Sequence, residues 1–127
     1  MNEMSLRESR HKWPSHEGKR AVSGPLFVSG FDVAADADRA FNEWYDSVHI
    51  PDALGIQGFL SSRRYVRGGD FENTFGPRYL NIFELSSKQQ FESGWDSDYR
   101  RASSEDFNRW GPSLSNGHVG FYLPYGE

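Results

Sequence analysis

Alternating and helical apolar patterns divide the chain into six predicted elements. From Pro25 to Val33, PLFVSGFDV, Leu26, Val28 and Gly30 interleave with Phe27, Ser29 and Phe31, as in a strand covered on both faces. From Asp36 to His49 the period changes. At about 100° per residue, Phe41, Trp44, Tyr45 and Val48 share one helical stripe. Arg39, Asn42, Glu43 and Ser47 cover the opposite side. Asp36 or Asp38 can cap this helix, and Pro51 predicts its end near His49. Asp52-Ala53-Leu54 can form one more short turn, and Gly55 and Gly58 then release the chain into a second strand, Phe59 to Arg67. Strict alternation there puts Leu60, Ser62, Arg64 and Val66 on one face, and Phe59, Ser61, Arg63 and Tyr65 on the other.

Glycines and a proline mark residues 68–77 as a loop carrying Phe71 and Phe75. A third strand, Arg78 to Leu85, shows Tyr79, Asn81, Phe83 and Leu85 on one face. Ser86 and Ser87 offer a cap for a helix with Phe91 and Trp95 four residues apart. A second helical piece spans Ser97 to Trp110 and stops at Gly111-Pro112. The polar SLSNG reads as a turn before a last strand, His118 to Leu123. The order β-α-β-β-α-β is the split pattern of a ferredoxin-like α+β sandwich, with both helices on one face of an antiparallel sheet. The other face needs a cover, and a second copy of the sheet is the economical one.

The 127 residues fit one domain over 25–127, preceded by a polar extension over 1–24. That extension is expected to be a mobile tail or an arm docking Trp13 on a neighbouring subunit. A net charge of -4, from 14 basic and 18 acidic residues, argues against nucleic acid as a partner. The chain has no cysteine, which excludes disulfides and thiolate chemistry. No apolar run is long enough for a bilayer, and the first residues lack a secretory core, so the expected location is the cytoplasm. Aromatic residues make up 16% of the chain against 36% for all hydrophobics, so large rings dominate the apolar surface. Such a composition suits a ring-filled core and equally a pocket for a flat apolar ligand.

Trp44, Tyr45, His49, Pro51, Gly58 and Phe59, followed by Arg63, Arg64 and Tyr65, form a run W-Y-x-x-x-H-x-P ending in G-F. This run is similar to the dimeric α+β barrel superfamily, and within it to EthD-type proteins. The resemblance covers roughly residues 25–124. It implies a homodimer with two sheets packed into a barrel, and a pocket in each subunit between sheet and helices. It also implies that His49, at the end of the first helix, faces that pocket. Cyclase, isomerase, lyase, decarboxylase-like and oxygenase activities all occur on this fold.

His49 is the leading candidate for general acid or base, since modest burial or a carboxylate such as Asp46 or Asp52 sets an imidazole near neutrality. Its structural alternative is a helix-end histidine on the last carbonyls. Tyr65 and Tyr79 are candidates to polarise a carbonyl, or are ordinary strand residues. Phe41, Trp44, Tyr45, Asn81, Phe83, Trp95 and Arg63 are candidate substrate-binding residues. No metal-ligand spacing and no nucleotide-binding motif occurs, so neither metal nor cofactor is expected. The expected function is cofactor-free acid-base chemistry on a small aromatic or polyketide-like carbonyl compound: a cyclase, isomerase or lyase. A cofactor-independent monooxygenase and a non-catalytic ligand-binding protein are the alternatives.

Overall fold

A computed structural model of the chain describes residues 24–69 and 76–126. The predicted extension, apart from Gly24, and the loop residues Phe71 and Phe75 lie outside the described residues. Four strands form one antiparallel sheet: β1 (Leu26–Val33), β2 (Phe59–Val66), β3 (Tyr79–Leu85) and β4 (Leu114–Tyr122), in the order β2-β3-β1-β4. Between β1 and β2 runs one continuous helical segment: α1 (Asp38–Trp44), a π turn (Tyr45–His49) and α2 (Ile50–Leu54). Between β3 and β4 come α3 (Lys88–Trp95), α4 (Asp98–Asn108) and a 3-10 turn (Gly111–Ser113). The fold is the predicted ferredoxin-like α+β sandwich.

Helix starts follow side-chain chemistry in two cases of three. Ser87 accepts from the Gln90 N–H and Ser97 from the Arg100 N–H, each satisfying an otherwise unpaired donor. At α1 the capping position is Ala37, with no side-chain cap. Asp38 sits in the first turn, where its charge suits the helix dipole, and its carboxylate is engaged elsewhere.

Two bulges move residues off their predicted faces. The β2–β3 register shifts between Phe59 and Ser61, so Phe59 joins Ser62 and Arg64 on the helix-covered inner face. Arg63 and Tyr65 pair with Ile82 and Leu80 on the outer face. In β4, His118 opposes Gly30 but Ser115 opposes Asp32, one residue too many. Asn116 absorbs the extra residue at φ 53, a left-handed conformation that asparagine tolerates. Of the segment read as a SLSNG turn, residues 114–117 are therefore the first half of the strand.

The inner face carries two aromatic cores. Ala53, Ile56, Phe59, Phe83, Leu85 and Phe91 form one, with Phe27, Trp95 and Phe121 against it. Phe31, Phe41 and Tyr45 form the other, with Trp44, Tyr79, Phe107, Trp110 and Leu114 around them. Helix α3 lies directly on the turn before β2. A Cβ on Gly94 would run into the Gln57 carbonyl, which explains a glycine inside a helix. On the outer face, Val28, Leu80 and Ile82 are half-buried and Tyr65 and Tyr122 exposed, and no described helix lies there.

Candidate functional site

The π turn sets the site. The Ile50 N–H donates to the Tyr45 carbonyl five residues back, one more than an α-helix spans. The predicted end of the helix at His49 is overturned by this turn. Its widened backbone accommodates Pro51, which lacks an N–H and whose ring crowds the preceding turn, so the helix continues to Leu54. An extra residue in the turn also shifts the helical phase. Val48, predicted on the buried stripe, is rotated out and exposed. His49 takes the inward place behind Tyr45.

His49 consequently lies among rings. Its imidazole is 5.4 Å from Trp44 in a stacked arrangement, 4.8 Å from Tyr45 and 5.0 Å from Phe107. Desolvation in this cage pushes its pKa down to about 4, against the opposing pull of Asp52 and Asp106. At neutral pH the ring is therefore uncharged. Asp52 and Asp106 line an open cleft with Tyr99 and Ser103.

Beside the imidazole, one rung of the sheet is polar. Arg64, Asn81, Ser29 and Val119 are cross-strand neighbours on β2, β3, β1 and β4. Asn81 has no exposed surface, and Tyr45 is 1% exposed. The Ser62 hydroxyl donates to Asn81 Oδ1 at 2.6 Å, which fixes the amide so that Nδ2 donates to the Tyr45 oxygen at 3.1 Å. Burial raises the Tyr45 pKa to about 12, although Asn81, Arg64 and the Ser29 hydroxyl beside it all favour the anion. Tyr45 is thus a protonated phenol with its own hydrogen still to donate.

Arg64 closes the other side. Its guanidinium stands 4.4 Å from the Tyr45 ring centre and 5.4 Å from that of Tyr79. It donates to Asp46 at 2.9 Å and to Asn42 at 2.8 Å, while its Nε is buried with no partner. Tyr79 donates to Asp38 Oδ1 at 2.6 Å. The helix flank Asp38–Asn42–Asp46 is thereby tied to β2 and β3; Asn42, predicted to face solvent, is part of that tie.

Of the predicted site residues, the fold brings together His49, Tyr45, Trp44, Phe41, Asn81 and Tyr79. Phe83 and Trp95 belong to the other core, where Trp95 packs 5.1 Å from Phe27. Tyr65 and Arg63 stand on the outer face, so Tyr65 and Tyr79 do not share a pocket within one subunit. Ser29, Ser62, Arg64 and Phe107 were not among the predicted residues. Ser29 shares the Phe27–Phe31 face by simple alternation, a signal present in the sequence; Ser62 and Arg64 required knowledge of the bulge.

An apolar cavity of about 260 Å³ opens between β1, β4 and the end of α4. Ser29, Phe31, Phe107, Leu114 and Val119 are among its walls. Phe107 thus touches both the imidazole and the cavity.

No protein-family model matches the chain, and no curated protein matches it. Solved structures do. An EthD-family protein from Bacillus halodurans is 18% identical, with a TM-score of 0.57 over 76% of this chain and 95% of that one. HapK from Hahella chejuensis is 9% identical, with a TM-score of 0.60 over 81% and 94%. SnoaB, a cofactor-independent oxygenase from Streptomyces nogalater, is 16% identical, with a TM-score of 0.55 over 84% and 97%. Strand order, helices on one sheet face and these likenesses agree: the chain has a ferredoxin-like α+β fold, shared with these structures.

Proposed function

We propose that this protein is a cofactor-free enzyme that moves a proton on a small aromatic or polyketide-like carbonyl compound, with His49 as the base. The reaction class is cyclisation, isomerisation or elimination. The observation supporting it is the uncharged imidazole held among Trp44, Tyr45 and Phe107, with Asp52 and Asp106 acting on it from the cleft side. A neutral imidazole accepts a proton from an activated carbon, and the two carboxylates favour the imidazolium that forms. The substrate lies in the apolar cavity, and rotation of Phe107 admits it to the imidazole. Tyr79 already donates to Asp38, so Tyr45 is the phenol better placed to assist.

His49→Ala, assayed against a panel of aryl ketones and β-diketones, is expected to lose at least about a hundredfold in turnover while keeping its melting temperature. Unchanged turnover in the folded variant overturns the assignment. The likeness in fold to SnoaB and the apolar cavity favour a second reading, a cofactor-independent oxygenase. Oxygen consumption matching product formation supports it; product without oxygen consumption excludes it. Both readings include a homodimer through the outer sheet face, tested by light scattering: a particle of one chain mass contradicts it.

A further inference from the structure

The open cleft between α2 and α4 measures about 270 Å³ and is lined by Asp52, Tyr99, Ala102, Ser103 and Asp106. The last four recur at i, i+3, i+4 and i+7, so one stripe of α4 forms a whole wall. The lining holds two carboxylates, two hydroxyls and a methyl group, and no basic side chain. A Cβ on Gly55 would run into the Tyr99 hydroxyl, so the glycine lets that phenol lie against the end of α2. There the helical segment that begins at Asp38 presents its last carbonyls, the negative end of its dipole.

The acceptors of this cleft are largely unused. Asp52 takes part in none of the ion pairs among the described residues. Asp106 pairs through Oδ1 with Arg109, a mostly exposed side chain; such a pair contributes little, and Oδ2 stays outside it. Ser103 adds a separate sign. It is 7% exposed and lines the cleft, yet its hydroxyl has no hydrogen-bond partner among the described residues. A helical serine can turn its hydroxyl back on the carbonyl four residues before it, as Ser47 does to Glu43; Ser103 does not. A hydroxyl this buried and unpaired costs stability unless something in the cleft meets it. An ammonium group, with three donors and no acceptor, matches two carboxylates and a hydroxyl. A metal ion asks for more ligands, and among the described residues no group of three or more His, Cys, Asp or Glu could hold one.

We propose that this cleft binds a small organic ammonium ion, its N–H groups shared among Asp52, Asp106 and the Ser103 hydroxyl. The site goes beyond the proton transfer assigned to His49 and does not depend on it. It does act on His49. Asp52 and Asp106 are the carboxylates that favour the imidazolium, while the rings of Trp44, Tyr45 and Phe107 around it carry no charge at neutral pH. An ammonium ion held between the carboxylates offsets their pull, so a bound ligand makes His49 harder to protonate. By reciprocity, a protonated His49 weakens the ligand.

The test uses binding and needs no turnover. 2-Phenylethylamine is charged at neutral pH, and 2-phenylethanol is its uncharged counterpart of similar size. Calorimetric titrations of the full chain at low salt are expected to show about tenfold tighter binding of the amine, the effect of one charge-assisted hydrogen bond. Asp52→Asn and Asp106→Asn should each weaken the amine about tenfold and leave the alcohol as it was. Ser103→Ala should weaken the amine about threefold without lowering the melting temperature, since the hydroxyl has no protein partner to lose. Asp98→Asn removes the same charge from the exposed start of α4, outside the cleft, and should leave amine binding unchanged. At saturating amine the titration midpoint of His49, followed by nuclear magnetic resonance, should move to lower pH. Equal or undetectable binding of the two probes overturns the proposal. So does a preference that survives Asp52→Asn and Asp106→Asn, an equal loss in Asp98→Asn, undiminished amine binding in Ser103→Ala, or a His49 midpoint unmoved by saturating amine.

Discussion

The two halves of the inner sheet face contain similar rings and treat polar groups in opposite ways. Around Phe91 the core is dry: Phe91 stacks on Phe121 at 4.6 Å, and Phe59 meets Phe83 edge-on at 5.0 Å. Around Tyr45 the rings surround a phenol, an amide, a guanidinium and an imidazole. Stability alone does not ask for that second arrangement. Replacing a buried hydrogen-bonded set by apolar groups of similar shape is often neutral or better, whereas breaking it halfway is costly. The dry half acts as the clamp between helix and sheet. The wet half holds the groups to which the proposed chemistry is assigned.

The largest expected effect is in the dry half. Phe83→Ala removes a buried ring between Phe27 and Phe59 and should cost about 3–5 kcal/mol of stability in denaturant unfolding. It should leave the titration midpoint of His49 unchanged; a shifted midpoint would dissolve the division between the halves.

Next comes acid sensitivity, which belongs to the wet half. Folded, His49 titrates at about 4; unfolded, it returns to about 6.5. Between those values the unfolded chain binds more protons. The contribution of His49 is complete above pH 6.5, falls as the pH drops through the window, and levels off below pH 4. It amounts to about 3 kcal/mol in all. His49→Leu should flatten this part of the stability profile, while Phe83→Ala should shift the profile down without changing its shape.

The smallest effect is the most informative about the polar rung. Asn81→Leu strands the Tyr45 and Ser62 hydroxyls and should cost about 1–3 kcal/mol. Adding Tyr45→Phe and Ser62→Ala should recover most of that loss, because the two stranded hydroxyls are then gone. If the triple variant is the sum of its parts, the three groups do not act as one network.

These contrasts also show what could be read from the residues. Alternation in β1 and β3, the glycines and the capping serines Ser87 and Ser97 carry the element order, and that order is enough for the fold. Three insertions of a single residue were not legible: the bulge after Phe59, the bulge at Asn116 and the π turn at Tyr45–His49. Each leaves composition unchanged and alters only phase. Phase decides which side chain faces inward, so Arg64 replaced Arg63, and His49 displaced Val48. A run of residues with strong periodicity identifies an element well, but the site lies where the period slips. Tyr45 and Asn81 were recognised as candidates because each lies before or away from a slip, in an unbroken stretch.

Everything proposed for the wet half depends on His49 being an uncharged base at neutral pH. Nuclear magnetic resonance titration of its imidazole in the folded protein reads this directly. The aromatic cage predicts a midpoint near pH 4, with the ring neutral throughout the physiological range. A midpoint at or above the ordinary value of about 6.5 would mean that water or a carboxylate, and not Trp44, Tyr45 and Phe107, sets its environment, and would contradict the account.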